Sequence, residues 1–285
     1  MCDPRENALI GRSAKKRDEW DVRALCRLFR LGELKEIWHS ADPARNAFLL
    51  STETYVQLRR EVVRQKNVLK AWYRRGGIMV RGSTPYSEAG RRSWLEQLPA
   101  GPLREGARAH YAVLDALCAQ WDQAWARLTA QGRAFAEIAR FEAMPGMGPA
   151  GAHLFSALVG DPRRFATRQQ LWRYCKLAIT DRSSDGKPLG YQRLERRGQG
   201  ELKAVSYHTW KGAIVSRDNE IKRWYAGSLA RTGDQRHARL NTQRKIIEVL
   251  WLLWLRGAPY DPQRFAGDPP PAHLTHEVKS LTTAA

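Results

Sequence analysis

Between Ala143 and Leu154 the chain reads AMPGMGPAGAHL, with Gly146, Gly148 and Gly151 at the spacing G-x-G-x-x-G. Glycines so spaced let backbone N–H groups approach an anion, and two kinds of site use them. A dinucleotide site needs the motif after a buried parallel strand, inside a repeating strand and helix pattern, with an acidic residue about twenty positions later. Here the preceding RAFAEIARFEAM has a helical period, Pro145 stands directly before the first glycine, and the corresponding downstream stretch, FATRQQLWRY, is basic. A helix, a Pro-Gly-hydrophobic-Gly turn and a second helix that begins with small residues form instead the pattern of a helix-hairpin-helix. That unit grips the phosphate backbone of a nucleic acid without reading its sequence. Pro149 suits the first turn of the second helix, so Pro145, Gly146, Met147 and Gly148 are candidate backbone contacts.

Three other groupings could do chemistry. From Arg163 to Lys203 there are eleven Lys or Arg against four Asp or Glu, with Trp172, Tyr174 and Tyr191 interleaved. Such a surface binds phosphates and can stack on bases; Arg163, Arg164, Arg182, Lys187, Arg196 and Arg197 are its candidate contacts. Asp18 and Asp21 lie three apart, so on a helix both carboxylates share one face. They can hold a hard cation together, or simply favour a helix start by offsetting its dipole. Ser183 and Ser184 sit in DRSSDGKPLG, which reads as a turn. A serine hydroxyl is a weak nucleophile that needs activation and neighbouring cations, for which Arg182 and Lys187 are nearest. His273 and His276 have no Cys or carboxylate cluster near them, and the four cysteines form no C-x-x-C pair, so neither a zinc site nor a disulfide framework is signalled.

The balance of 48 Lys and Arg against 29 Asp and Glu leaves a formal charge of +19 over 285 residues, with arginine far commoner than lysine. A polyanionic partner is the expectation, and arginine's planar fork suits phosphate. The longest apolar run, Ile246 to Leu255, is interrupted by Glu248 and is too short to cross a bilayer; no signal-peptide core is present. No membrane partner is expected, and the expected compartment is a reducing cytoplasm.

These groups must be positioned by a mainly α fold, since apolar residues recur at three and four rather than at two. Asp18 to Leu31 is amphipathic, with Trp20, Ala24, Leu28 and Leu31 on one face and Gly32 as its cap. ELKEIW, from Glu33, reads as one short strand. A long helix runs from Asp42 to Gly76 and Gly77 with Arg59, Arg60, Arg64, Lys66, Lys70, Arg74 and Arg75 on a face either solvated or laid along phosphates. After a Gly- and Pro-rich linker zone, Ala107, Tyr111, Leu114, Cys118, Trp121, Trp125 and Leu128 step by 4, 3, 4, 3, 4 and 3. That seam suits either a coiled coil joining two copies, hence a homo-oligomer, or a helix buried within its own domain. Ala134 to Glu142 is a short helix leading into the glycine turn, helical pattern resumes after Gly200, and a loose Pro-rich tail begins at Gly257.

From Met144 onward the order is hairpin, Gly-Asp, Arg-Phe, a Gln-Leu helix, the Ser-Ser turn with Gly-Lys, Arg-x-Gly and a further helix. This resembles the carboxyl-terminal domain of the insertion-sequence 110 family of transposases, the DEDD recombinases. KKRDEWDVRALCRLFRLGELKEIW resembles the same family's Lys-x-Asp-x-x-Asp segment, and together the resembling stretches cover about residues 7–75 and 104–215. The resemblance implies a partial RNase H-like region with the long basic helix over 1–92, a helical or coiled-coil connector over 93–141, a domain with helix-hairpin-helix and serine loop over 142–256, and the tail over 257–285. It implies Mg²⁺ held by acidic residues, of which Asp18 and Asp21 match the third and fourth positions. It implies a nucleophilic serine at Ser184, with Ser183 the alternative, and as partners double-stranded DNA of element ends and target together with a structured noncoding guide RNA. The family's first Asp and its Glu stand ahead of the Lys-x-Asp-x-x-Asp segment, where this chain has almost no sequence, so an amino-terminally truncated site is expected. Asp185 replaces the family's usual Gly, and RRGQGELK matches its counterpart loosely. The function expected is cutting and rejoining of mobile DNA; the alternative is a non-catalytic nucleic-acid-binding remnant.

Overall fold

The computed structural model describes residues 18–34, 37–184 and 187–266, with the side chains of 181–192 and 264 outside that description. The chain divides into two units, Met1–Asn46 and Ala47–Ala285.

In the first unit, α1 (Asp18–Arg30) opens on Asp18, Glu19 and Asp21 and closes on Arg27 and Arg30, the charge order that a helix dipole favours. Gly32, at φ 66°, ends it, with Glu33 N–H donating to the Leu28 carbonyl and Gly32 N–H to that of Phe29. No residue of α1 is buried. The strand expected over ELKEIW is not formed: Glu33, Leu34, Ile37 and Trp38 lie outside any helix or strand, and Lys35 and Glu36 lie outside the described residues. A lone strand has no ladder to satisfy its backbone, and among the described residues the strands pair only with each other.

The second unit is built on two long helices, α2 (Pro43–Arg75) and α4 (Pro102–Gly132), with the short α3 (Glu88–Gln97) between them. Asp42 accepts the Ala44 N–H at the start of α2, and Gly77, at φ 75°, follows its end. The buried stripe of α2 includes Tyr55, Val62, Leu69 and Tyr73. Against it lies the heptad seam of α4: Tyr55 meets Trp121 and Trp125 at ring centroid distances of 5.8 and 5.4 Å, and Val62, Leu69 and Tyr73 share a cluster with Ala107, Tyr111 and Leu114. The seam is thus covered by α2 of the same chain, as the buried-helix alternative has it. Beneath it the Tyr111 hydroxyl donates to the Pro85 carbonyl at 2.8 Å and accepts from the Tyr73 hydroxyl at 2.9 Å, an order fixed because a carbonyl can only accept. Tyr111→Phe strands both neighbours and should destabilise by about 2 kcal/mol, whereas Tyr73→Phe removes only the outermost donor and should cost about 1 kcal/mol. Equilibrium urea unfolding of the two variants checks the order.

The main core gathers the rest. α5 (Glu137–Glu142), α6 (Pro149–Val159), α7 (Arg168–Tyr174), α8 (Gly200–Val215) and α9 (Glu220–Thr232) surround α10 (Gln235–Arg256). The apolar run of α10 is now explained: Ile246, Ile247, Val249, Leu250, Trp251 and Leu253 are all buried, because a helix covered on several sides is apolar nearly all round. No described helix is long and apolar enough to cross a membrane. The serine segment, read as a turn among basic residues, forms an antiparallel hairpin of β1 (Ile179–Ser184) and β2 (Lys187–Leu194). The tail is not loose throughout: Phe265 on α11 (Gln263–Ala266) is fully buried and the Tyr260 hydroxyl donates to Glu220, so two aromatics anchor residues 257–266 beside α9. His273 and His276 lie outside the described residues.

Candidate nucleic-acid interface

The glycine motif forms a turn between α5 and α6, which pack on each other. Its three glycines serve different ends. Gly146 has φ 78°, and a Cβ there would stand 2.2 Å from the Thr209 carbonyl oxygen and 2.4 Å from the Ala213 nitrogen. The turn is therefore pressed against the backbone of α8, where Gly212 answers it: a Cβ on Gly212 would lie 3.0 Å from the Gly146 oxygen. Met147 is buried, accepts a hydrogen bond from the Thr209 hydroxyl at its sulfur, and its amide already donates to the Met144 carbonyl. Pro145 is half-buried. Gly148, by contrast, is exposed, and a Cβ on it would meet nothing within 4 Å. It precedes Pro149 at the amino end of α6, and no side chain caps that end. First-turn amides lack intrahelical acceptors and carry the positive end of the dipole. Of the four turn residues named from the sequence, Gly148 thus presents open backbone, while Gly146 and Met147 hold the turn on α8.

The basic segment divides in the same way. Arg163 is exposed on the turn Pro162–Arg164, but Arg164 folds back: its guanidinium donates to the Val159 carbonyl at the end of α6 and lies 4.7 Å from the Tyr174 ring centroid. Tyr174 in turn donates to the Leu158 carbonyl, and Trp172 has the Arg168 and Arg244 guanidiniums over its ring at 5.4 and 5.2 Å. Two of the aromatics expected to stack on bases are therefore engaged with arginines of their own chain. Arg196 and Arg197 are exposed on the loop after the hairpin, where their amides both donate to the Glu195 carboxylate. Those bonds, the Arg197 amide foremost, hold the Glu195 carboxyl below its ordinary range.

In the hairpin, Ser184 is the last residue of β1 and stands directly across from Lys187, whereas Ser183 stands across from Pro188. Asp181 pairs with Gln192, so the register is irregular at Arg182. Asp185 and Gly186 lie outside the described residues. The signal for this hairpin was Asp-Gly between two short runs, the pair that a tight two-residue turn prefers.

Asp18 and Asp21 both fall in the first turn of α1, and their oxygens are the donor type that suits a hard cation. Among the described residues no group of three or more His, Cys, Asp or Glu is placed to hold a metal. By chemistry the pair fits Mg²⁺.

The basic face of α2 carries a tie that the sequence did not suggest. Arg59 and Arg60 both reach Glu201, in the first turn of α8, at 2.5 and 2.7 Å. Burial works to raise the Glu201 carboxyl, but the hydrogen bonds and charges of Arg60 and Arg59 outweigh it and hold it below the usual range. A depressed carboxyl contributes stability that is complete above its unfolded pKa and is lost as pH falls through its folded one. Wild type should therefore exceed Glu201→Gln by on the order of 1 kcal/mol at neutral pH, the arginines being partly exposed. Urea titrations at descending pH should show that gap closing through the acid carboxylate range.

Residues 138–226, from α5 through the hairpin into α9, match the transposase IS116/IS110/IS902 family. A curated relative in Pseudomonas aeruginosa strain PAO1, described as a probable family 20 transposase, is 27% identical over 168 residues, which is 58% of this chain and 48% of the relative. The chain spans about half the length of that relative. The glycine turn, the serine hairpin and the helices that carry them all fall inside the segment that is similar to this transposase family.

Proposed function

We propose that the chain acts on mobile DNA, binding the duplex backbone at the amino end of α6 and over Arg163, Arg182, Lys187, Arg196 and Arg197, and cutting it with Ser184. The observation that carries this reading is the uncapped, open start of α6 at Gly148, set within the segment that matches the transposase family. There the free amides and the dipole favour a phosphate, and the arginines add charge around it.

The Ser184 oxygen attacks phosphorus, a phosphoserine ester forms, and one DNA hydroxyl leaves with a proton. Lys187 and Arg182 neutralise the phosphate as charge builds on it. A hydroxyl of another DNA end then attacks the ester, releases the serine and rejoins the strand, with no oxidant or nucleotide required. Mg²⁺, when held by Asp18 and Asp21 with further oxygen ligands, supplies Lewis-acid polarisation of a phosphate. A structured guide RNA is the second polyanion that this reading assigns to the basic surface. The rival reading is a remnant that binds nucleic acid without cutting it.

The test is incubation with DNA bearing the element ends, guide RNA and Mg²⁺, followed by denaturing electrophoresis. A denaturant-resistant protein–DNA adduct supports the catalytic reading. Steeply salt-dependent binding without an adduct supports the remnant, and binding that hardly changes between low and moderate salt counts against both.

A further inference from the structure

On the outer side of α9, Glu220, Arg223, Trp224, Gly227, Ser228 and Arg231 line an open concavity of about 380 Å³. Arg223, Gly227 and Arg231 follow one another at four-residue steps and so share a helix face, with the glycine between the two guanidiniums. A glycine inside a helix sacrifices propensity, and it is commonly kept because a neighbour presses on it. Here, among the described residues, nothing does: a Cβ on Gly227 would meet none of their atoms within 4 Å. Packing among the described residues does not account for this glycine, whereas keeping the floor of the concavity open does.

The walls suit one kind of guest. Trp224 is fixed in place by the Lys245 ammonium 5.1 Å from its ring centroid and by the edge of Phe265, so it offers a rigid aromatic wall. Glu220 is only 5% exposed and accepts the Tyr260 hydroxyl. A carboxylate can accept several hydrogen bonds, so it retains capacity for the N–H groups of a base. Burial, with the Glu220 hydrogen bond and charge, pushes the Tyr260 phenol up, which keeps it a donor. Arg223, itself paired with Asp218, and Arg231 also line the concavity, and their guanidiniums are donors suited to a phosphate. An aromatic wall, a buried acceptor and guanidiniums together recognise a nucleotide, and the volume suits one rather than a stack.

We infer that this concavity takes a single unpaired nucleotide of a bound strand, with its base between Trp224 and Glu220 and its phosphate at Arg231. The inference rests on the nucleic-acid reading above and adds a second contact remote in sequence from the glycine turn. Guanine, which offers N1–H and its amino group side by side, is the probe of choice.

Fluorescence anisotropy of the full chain with a labelled DNA duplex carrying one unpaired dG, against the same duplex fully paired, tests it. Wild type should prefer the bulged duplex by about tenfold. Gly227→Leu fills the concavity without backbone strain; it should erase that preference yet bind the paired duplex as wild type does, and Arg231→Ala should reduce it. Equal binding of both duplexes by wild type, or an undiminished preference in Gly227→Leu, overturns the inference. Failure of wild type to bind either duplex refutes the nucleic-acid reading itself, and the nucleotide site with it.

Discussion

Gly146→Ala should destabilise the protein by more than about 3 kcal/mol, while Gly148→Ala, two residues away, should change stability by no more than about 1 kcal/mol. At Gly146 two penalties coincide. The φ of 78° is one that L-residues adopt at a cost of about 1–2 kcal/mol. In addition the new methyl would stand 2.2 and 2.4 Å from backbone atoms of Thr209 and Ala213. Those atoms belong to the interior of α8 and cannot rotate aside as a side chain would, so the turn must lift from the helix. Lifting it breaks the seat of Met147 and uncouples α6 from α8. At Gly148 the backbone is extended, φ −88° and ψ 163°, and the methyl enters open space. There the loss should appear in binding: a methyl over the first-turn amides keeps a phosphate at a distance, and DNA affinity should fall by about tenfold. Urea unfolding and anisotropy on both variants separate the effects. A folded Gly146→Ala of near wild-type stability would show that the turn does not sit on α8 as described. An unchanged DNA affinity in Gly148→Ala would remove the α6 amino end from the interface.

The contrast between these glycines shows what a sequence holds and what it leaves out. Helix periods, caps and the helix–turn–helix around Pro145 are local, and each was legible: the long basic helix, the α4 seam and both glycine-capped ends in α1 and α2 formed where spacing put them. Long-range pairing was not. Nothing near Gly146 announces that Thr209 and Ala213 of α8, more than sixty residues on, press on it. Charge was misread for the same reason. Arg59, Arg60 and Arg164 looked like solvated or phosphate-facing cations, yet each is committed to a carboxylate or carbonyl of its own chain. Composition counts cations without telling which are already engaged, and of the arginines named from the sequence Arg163, Arg196 and Arg197 are exposed in the structure. The packed tail followed the same pattern: Tyr260 and Phe265 are two aromatics in a Pro-rich stretch, and only their seats beside α9 reveal that it is held.

Ser184→Ala should abolish the covalent protein–DNA adduct, a loss on the order of a thousandfold or more in strand transfer, while leaving DNA affinity within about twofold of wild type. The hydroxyl is the only group removed, so binding through the α6 end and the exposed arginines should persist. Ser183→Ala separates the two serines. Ser184 closes β1 directly across from Lys187, a cation, whereas Ser183 lies across from Pro188, which offers no charge. Lys187 is the residue type that stabilises an anionic transition state at phosphorus, and its place across the register favours Ser184 as the attacking group and predicts that Ser183→Ala retains the adduct. The reverse result would move the nucleophile one residue back. Asp18→Ala completes the comparison, because the proposed reading gives the acidic pair on α1 a part in cutting and none in gripping. It should suppress adduct formation at unchanged affinity. A metal-dependent nuclease without a serine nucleophile behaves differently under the same three substitutions: it nicks DNA without an adduct, survives Ser184→Ala and loses activity in Asp18→Ala. A protein that binds the element ends with steep salt dependence, yet forms no adduct and no nick with Mg²⁺ and guide RNA present, is the non-catalytic remnant.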